Sequence, residues 1–203
     1  MATDYALMVR NLTDFYNVRD KTVITIGGGG GQLIGYAREA SAVIAVDRDL
    51  PAIEQLQKAV RRERLTDRFA YVCTDFLAWT LPLRADVVLF EFCLHEMTDP
   101  HRALTQATRL APDILVFDHG RDSPWSWHVA EEEKVAAAWD AVERFPIARR
   151  RAFSTEQRFE RFDELLAKMG PHDAVAAARL EQYRGVEPIV IPMTYEVALL
   201  QSR

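Results

Sequence analysis

The chain is expected to fold as an α/β protein around a doubly wound, mostly parallel sheet. Two observations predict this. Short apolar runs alternate with helical stretches over residues 1–120, the rhythm of strands joined by crossover helices. Each run also stops at a glycine, an acid or a histidine, so polar groups collect where the strands end. At 203 residues, with no repeat and no Gly/Ser linker, one domain is enough to hold a core.

In order, residues 4–16 read as an amphipathic helix. Val23–Ile26 is an apolar run halted by five glycines, Gly27 to Gly31, which suits a buried strand. "QLIGYAREA" reads as helix, and Ala42–Asp47 as a second strand closing on an acid. The next helix has a cap-like Asp49, an early Pro51, and Ile53, Leu56 and Val60 on one face. "FAYVCTD", "ADVVLFEFCLH" and "DILVFDHG" are strands three to five, with a helix starting near Pro100 before the last. In open parallel sheets, ligands sit beyond the carboxyl ends of the strands. That rule gathers the glycines, Asp47, Asp75, Glu91 to Glu96 and His119 on one rim.

The last third reads differently, as helices over about 121–185. Val135, Trp139 and Val142 share one helical face, and Phe159, Phe162, Leu165, Leu166 and Met169 share another. A third helix is expected from about Asp173 to Tyr183, before the chain returns to strand in "EPIVIPMTYEVALLQS". One crossover needs one helix, so the surplus is expected to cap the rim or to make a homodimer contact. The basic run Arg149 to Arg151 reads as a solvated helix end.

Composition narrows the function. A net charge of -5 argues against nucleic acid as partner, and no run of eighteen apolar residues suggests a membrane span. The N-terminus lacks the apolar stretch of a signal peptide, so a cytoplasmic location is expected. Cys73 and Cys93 cannot form a disulfide framework and read as small buried hydrophobes. No His, Cys or acidic pair has the compact spacing of a helical metal site, so no metal is expected.

The glycines carry the main signal. A dinucleotide fingerprint needs glycines at i, i+2 and i+5; from Gly27, Gly28 or Gly29 the last position is Gln32, Leu33 or Ile34. A nucleotide-dependent oxidoreductase is therefore disfavoured. The set Gly27, Gly29, Gly31 followed by an acid at the end of strand two resembles the class I S-adenosylmethionine-dependent methyltransferases. So does the run Asp86, Leu94, His95, Asp99, Pro100, Ala103 and Leu104, which is similar to that of the small-molecule members.

The resemblance implies a seven-stranded, Rossmann-like methyltransferase fold with S-adenosylmethionine as cofactor and S-adenosylhomocysteine as product. It implies that Gly27, Gly29 and Gly31 line the methionine and ribose, and that Asp47, with Arg48 beside it, meets the ribose hydroxyls. It places Asp75 and Phe76 at the adenine, and Glu91 on strand four, facing the transferred methyl. Thr25 departs from the pattern, standing where the family usually has an acid; Tyr16 or Asn17 could take over that role. Glu91, His95 and His119 are candidates to hold the acceptor or take its proton, as carboxylate and imidazole can. Tyr16, Trp125 and Trp127 are candidates to contact a flat substrate. The expected reaction is methyl transfer to N, O or S of a small molecule. The alternative is an inactive protein of the same fold, serving as scaffold.

Overall fold

The computed structural model describes residues 3–80, 82–169 and 174–201. The helix α1 (Tyr5–Phe15) is capped by Asp4, whose carboxylate accepts the Leu7 amide at 2.8 Å. It leads into β1 (Thr22–Ile26), β2 (Ala42–Asp47), α2 (Leu50–Arg62) and β3 (Phe69–Cys73). The chain then returns to the middle of the sheet with β4 (Val87–Glu91), α3 (Pro100–Ala107) and β5 (Asp113–His119). Asp99 caps α3 by accepting the Arg102 amide at 2.9 Å, and Pro100 fills the first helical position, where a missing N–H costs nothing.

The seven strands run in the order β3-β2-β1-β4-β5-β7-β6, with β6 (Ile147–Phe159) and β7 (Ile189–Gln201) completing the sheet. β1 to β5 pair in parallel, and β7 enters antiparallel between β5 and β6. The doubly wound, mostly parallel expectation is met. Both faces are covered, which is why β4 is buried at every position and reads as an unbroken apolar run. On one face Met8 and Leu12 of α1 and Leu56 and Val60 of α2 join one apolar cluster. On the other, Leu104 of α3 packs with Val135 and Trp139 of α5 (Glu132–Val142).

Several local expectations are corrected. "QLIGYAREA" makes only a 3₁₀ turn, Ile34–Arg38. The helix expected around Phe159 is split: Phe159 ends β6, while α6 (Phe162–Met169) carries Phe162, Leu165 and Leu166. The Phe159–Leu166 spacing is helical only by coincidence of a strand end with a helix start. Arg149 to Arg151 lie in β6 rather than at a helix end. A short α4 (Pro124–His128) precedes α5, and α7 (Ala174–Leu180) follows α6. Asp173 and the Met169 side chain lie outside what is described. Cys73 is exposed at the end of β3, while Cys93 is buried as expected. Among the described residues, no helix is long and apolar enough to cross a membrane.

Candidate active site

The strand order reverses between β1 and β4, and there the helices that follow them diverge and leave a crevice. A cavity of about 340 Å³ opens at these strand ends. It is lined by Gly27 after β1, Asp47 and Arg48 at the end of β2, Asp75 and Phe76 after β3, and Phe92 to Met97 beyond β4 in part. Asp47 spends one oxygen on the Asp49 amide at 3.0 Å and turns the other toward Gly29. Asp75 caps a 3₁₀ turn through the Leu77 amide at 2.9 Å. Phe76 is buried edge-on against Phe90, 5.6 Å between ring centres.

The glycine loop is crowded from within the protein. Gly27 has φ +77°, and a side chain there would collide with Cys93, so both conformation and space demand glycine. A Cβ at Gly29 would meet Asp47 Oδ2 at 2.6 Å, and one at Gly31 would meet Ala59 at 2.7 Å. Of these three glycines only Gly27 lines this cavity. Gly29 and Gly31 instead let the loop lie against α2.

A second cavity of about 220 Å³ shares Gly27 and Phe92 with the first. Its wall includes Glu91, His119, Trp125, Gln157, Lys168 and Met193. Tyr5 and Met8 bring the first turn of α1 to the same wall. Phe92 divides the two spaces. Its φ of +49° is a costly backbone state for a bulky residue, held by an N–H bond to the Phe117 carbonyl at 2.7 Å. Its ring packs 4.9 Å from Phe117 and 4.8 Å from His119.

Glu91 is buried at the end of β4, where the Thr25 hydroxyl donates to its Oε2 at 3.3 Å. Burial pushes its carboxyl up to about 7, with the Thr25 bond pulling the other way. The Tyr36 hydroxyl is buried near the same pair, and burial and the Glu91 charge push it well above its ordinary range. Thr25, at the position of the expected acid, thus holds a carboxylate that arrives from the neighbouring strand.

At the end of β5 the buried carboxylate of Asp118 anchors two histidines. Its oxygens accept the backbone amides of His95 (3.1 Å) and His119 (2.8 Å), and the His95 Nδ1–H at 2.6 Å. His95 Nε2 faces Glu131 Oε2 at 3.5 Å and Glu96 Oε1 at 3.6 Å. Burial acts to lower His95, but Asp118 and Glu131 outweigh it and lift the imidazole to about 10. Burial pushes His119 down to about 4. The Trp139 indole N–H fixes the His119 carbonyl at 2.7 Å.

The sequence-predicted candidates therefore separate. Asp47, Arg48, Asp75 and Phe76 line the first cavity, and Glu91, His119 and Trp125 the second. His95 lines neither and belongs to the Asp118 cluster. Tyr16 is not at the rim at all: its hydroxyl donates to Asp113 at 2.6 Å, at the opposite end of β5. Trp127 is 44% exposed and carries the Arg179 guanidinium 4.5 Å from its ring, away from both cavities. Phe92, Gln157, Lys168 and Met193 were not anticipated. Phe92 was within reach of the strand-end rule, whereas the others come from segments whose facing depends on β6 and α6.

Comparison with known proteins agrees with this architecture. Residues 24–113, from β1 to the start of β5, match the methyltransferase domain family. A search of curated proteins finds no match. Among solved structures, the chain is similar to a candidate methyltransferase of Bacillus halodurans (TM-score 0.71, 13% identity, covering 95% of this chain and 97% of that one). It is also similar to a SAM-dependent methyltransferase of Aquifex aeolicus (0.61, 16%, 98% and 90%). A precorrin 8w decarboxylase of Methanobacterium thermoautotrophicum shares the fold as well (0.61, 11%, 97% and 90%). At these identities the structural likeness speaks for the fold. Residues 24–113 thus match the methyltransferase domain family, within a fold that a solved SAM-dependent methyltransferase shares.

Proposed function

We propose that the protein transfers a methyl group from S-adenosylmethionine to N, O or S of a small molecule. The observation that carries this is the pair of cavities meeting at Gly27 and Phe92, one rimmed by strand-end acids and the other holding buried Glu91. The first cavity fits the cofactor by its donor set. Asp47 keeps an oxygen turned to the loop for ribose hydroxyls, and Asp75 with Phe76 offers a polar edge and a ring face for adenine. When bound, the cofactor supplies an already activated methyl group.

What remains for the chain is alignment, exclusion of water and a route for a proton. Phe92 and Gly27 bring the two spaces together, and the second cavity, closed by α1, Trp125 and Lys168, holds the acceptor. Glu91, with a carboxyl near 7, can both hold a donor group and take its proton near neutral pH. It also places a carboxylate beside Thr25 and Gly28, supplying at the methionine end the charge that Thr25 lacks. The cavity size and the net charge of -5 support a metabolite over nucleic acid.

Calorimetric titration with S-adenosylhomocysteine, with NAD as control, tests the cofactor assignment. Binding of the former alone is expected, and Asp47→Ala is expected to weaken it by roughly tenfold or more, since ribose hydroxyls lose a charged acceptor. Glu91→Gln is expected to lower turnover on an accepted metabolite. If neither ligand binds, Thr25 marks a lost cofactor site and the scaffold reading takes precedence.

A further inference from the structure

We propose that His95, His119 and Glu131 form a binding site for a divalent transition metal of the zinc type. Spacing in the sequence hides it, because the three come from the turn after β4, the end of β5 and the start of α5. Among the described residues this is the group whose potential ligand atoms converge, all within 4.8 Å of one another. His95 Nε2 and Glu131 Oε2 are 3.5 Å apart, close to the roughly 3.3 Å between two ligands of a tetrahedral zinc ion. An ion would draw the wider pairs inward by side-chain rotation.

Two further observations point to a cation. His119 Nδ1 is buried without a hydrogen-bond partner, in a side chain only 8% exposed, a costly state that a ligand would relieve. Asp118 holds His95 Nδ1 at 2.6 Å and so directs Nε2 into the site, the carboxylate–histidine arrangement that orients metal-bound imidazoles. Glu96, 3.6 Å from His95 Nε2, is placed to serve as a fourth ligand.

Two imidazoles with carboxylate oxygens suit zinc and its neighbours better than magnesium or calcium, which prefer oxygen alone. His119 also lines the smaller cavity and Glu96 the larger, so the ion would lie in the wall between them.

The full chain, stripped with chelator, is titrated with Zn²⁺ by calorimetry and with Co²⁺ by visible absorption. One equivalent of each is expected to bind, with Co²⁺ giving the strong ligand-field bands of low coordination with nitrogen donors. His119→Asn and Glu131→Gln are each expected to weaken binding by roughly tenfold or more, while the exposed neighbour Glu133→Gln leaves it unchanged. Folding of each variant is checked by circular dichroism. If both site variants misfold, the wild-type Co²⁺ spectrum decides: weak octahedral bands, or none, overturn the site. Binding that survives both folded variants overturns it as well.

Discussion

Glu91 is the residue at which burial and chemistry conflict. Its carboxyl ordinarily titrates near 4.5 and is pushed to about 7 by burial, with only Thr25 hydrogen-bonded to it. Below 4.5 the group is protonated whether folded or unfolded and contributes no difference. As pH rises toward 7 the folded state binds the extra proton, so stability falls, and above 7 the loss levels off at about 3 kcal/mol. Glu91→Gln is neutral throughout and is expected to gain stability over wild type across that interval. Urea unfolding of both proteins at about pH 5 and about pH 8 checks this; a difference that does not grow would contradict it. Gly27→Ala is expected to cost at least about 2 kcal/mol, because a positive φ and the Cys93 contact both oppose a methyl group. Asp47, Asp75 and Glu91 were legible because a strand end fixes where a side chain arrives. Tyr16 and Trp127 were not, since a helix face can be identified only once its partner is known.

The element least legible from sequence is β6. Its inward positions from Phe153 to Phe159 alternate correctly, but two of them are Thr155 and buried Gln157, which dilute the apolar signal. Gln157 is satisfied by Thr3 Oγ1 at 2.6 Å and by Met193 Sδ at 3.2 Å, bonds that no local pattern foretells. The arginines suited a helix end equally well; in the fold they guard the sheet's edge strand, as charge commonly does. Arg150 also ties that edge to its neighbours, pairing with Glu196 at 2.6 Å and Glu143 at 3.2 Å and lying 4.3 Å from the centre of the Trp139 ring. Arg150→Ala is expected to cost about 1–2 kcal/mol in denaturant unfolding, more than an exposed ion pair would. No change would reduce these contacts to surface decoration.

For the molecule as a whole, the parallel β1–β5 half was readable because each buried strand is a continuous apolar run closed by a polar residue. In the antiparallel half β7 was read as strand, but β6 and its pairing were not, because that pairing joins segments distant in sequence. Since the first cavity is built from the ends of several strands, a ligand there is coupled to global unfolding. S-adenosylhomocysteine at a hundred times its Kd is expected to raise stability by about 2.7 kcal/mol, read as a concentration-dependent rise in Tm. A flat Tm would mean that the folded chain does not bind it. The place of β7 has a consequence for synthesis. Among the described residues β6 has β7 as its only neighbour in the sheet, yet β7 comes off the ribosome after it. Until then β6 has no partner and β5 keeps a bare flank, so a nascent chain halted near Pro188 offers two unsatisfied strands to whatever it meets. The arginines of β6 then act earliest as protection for a strand that has to wait.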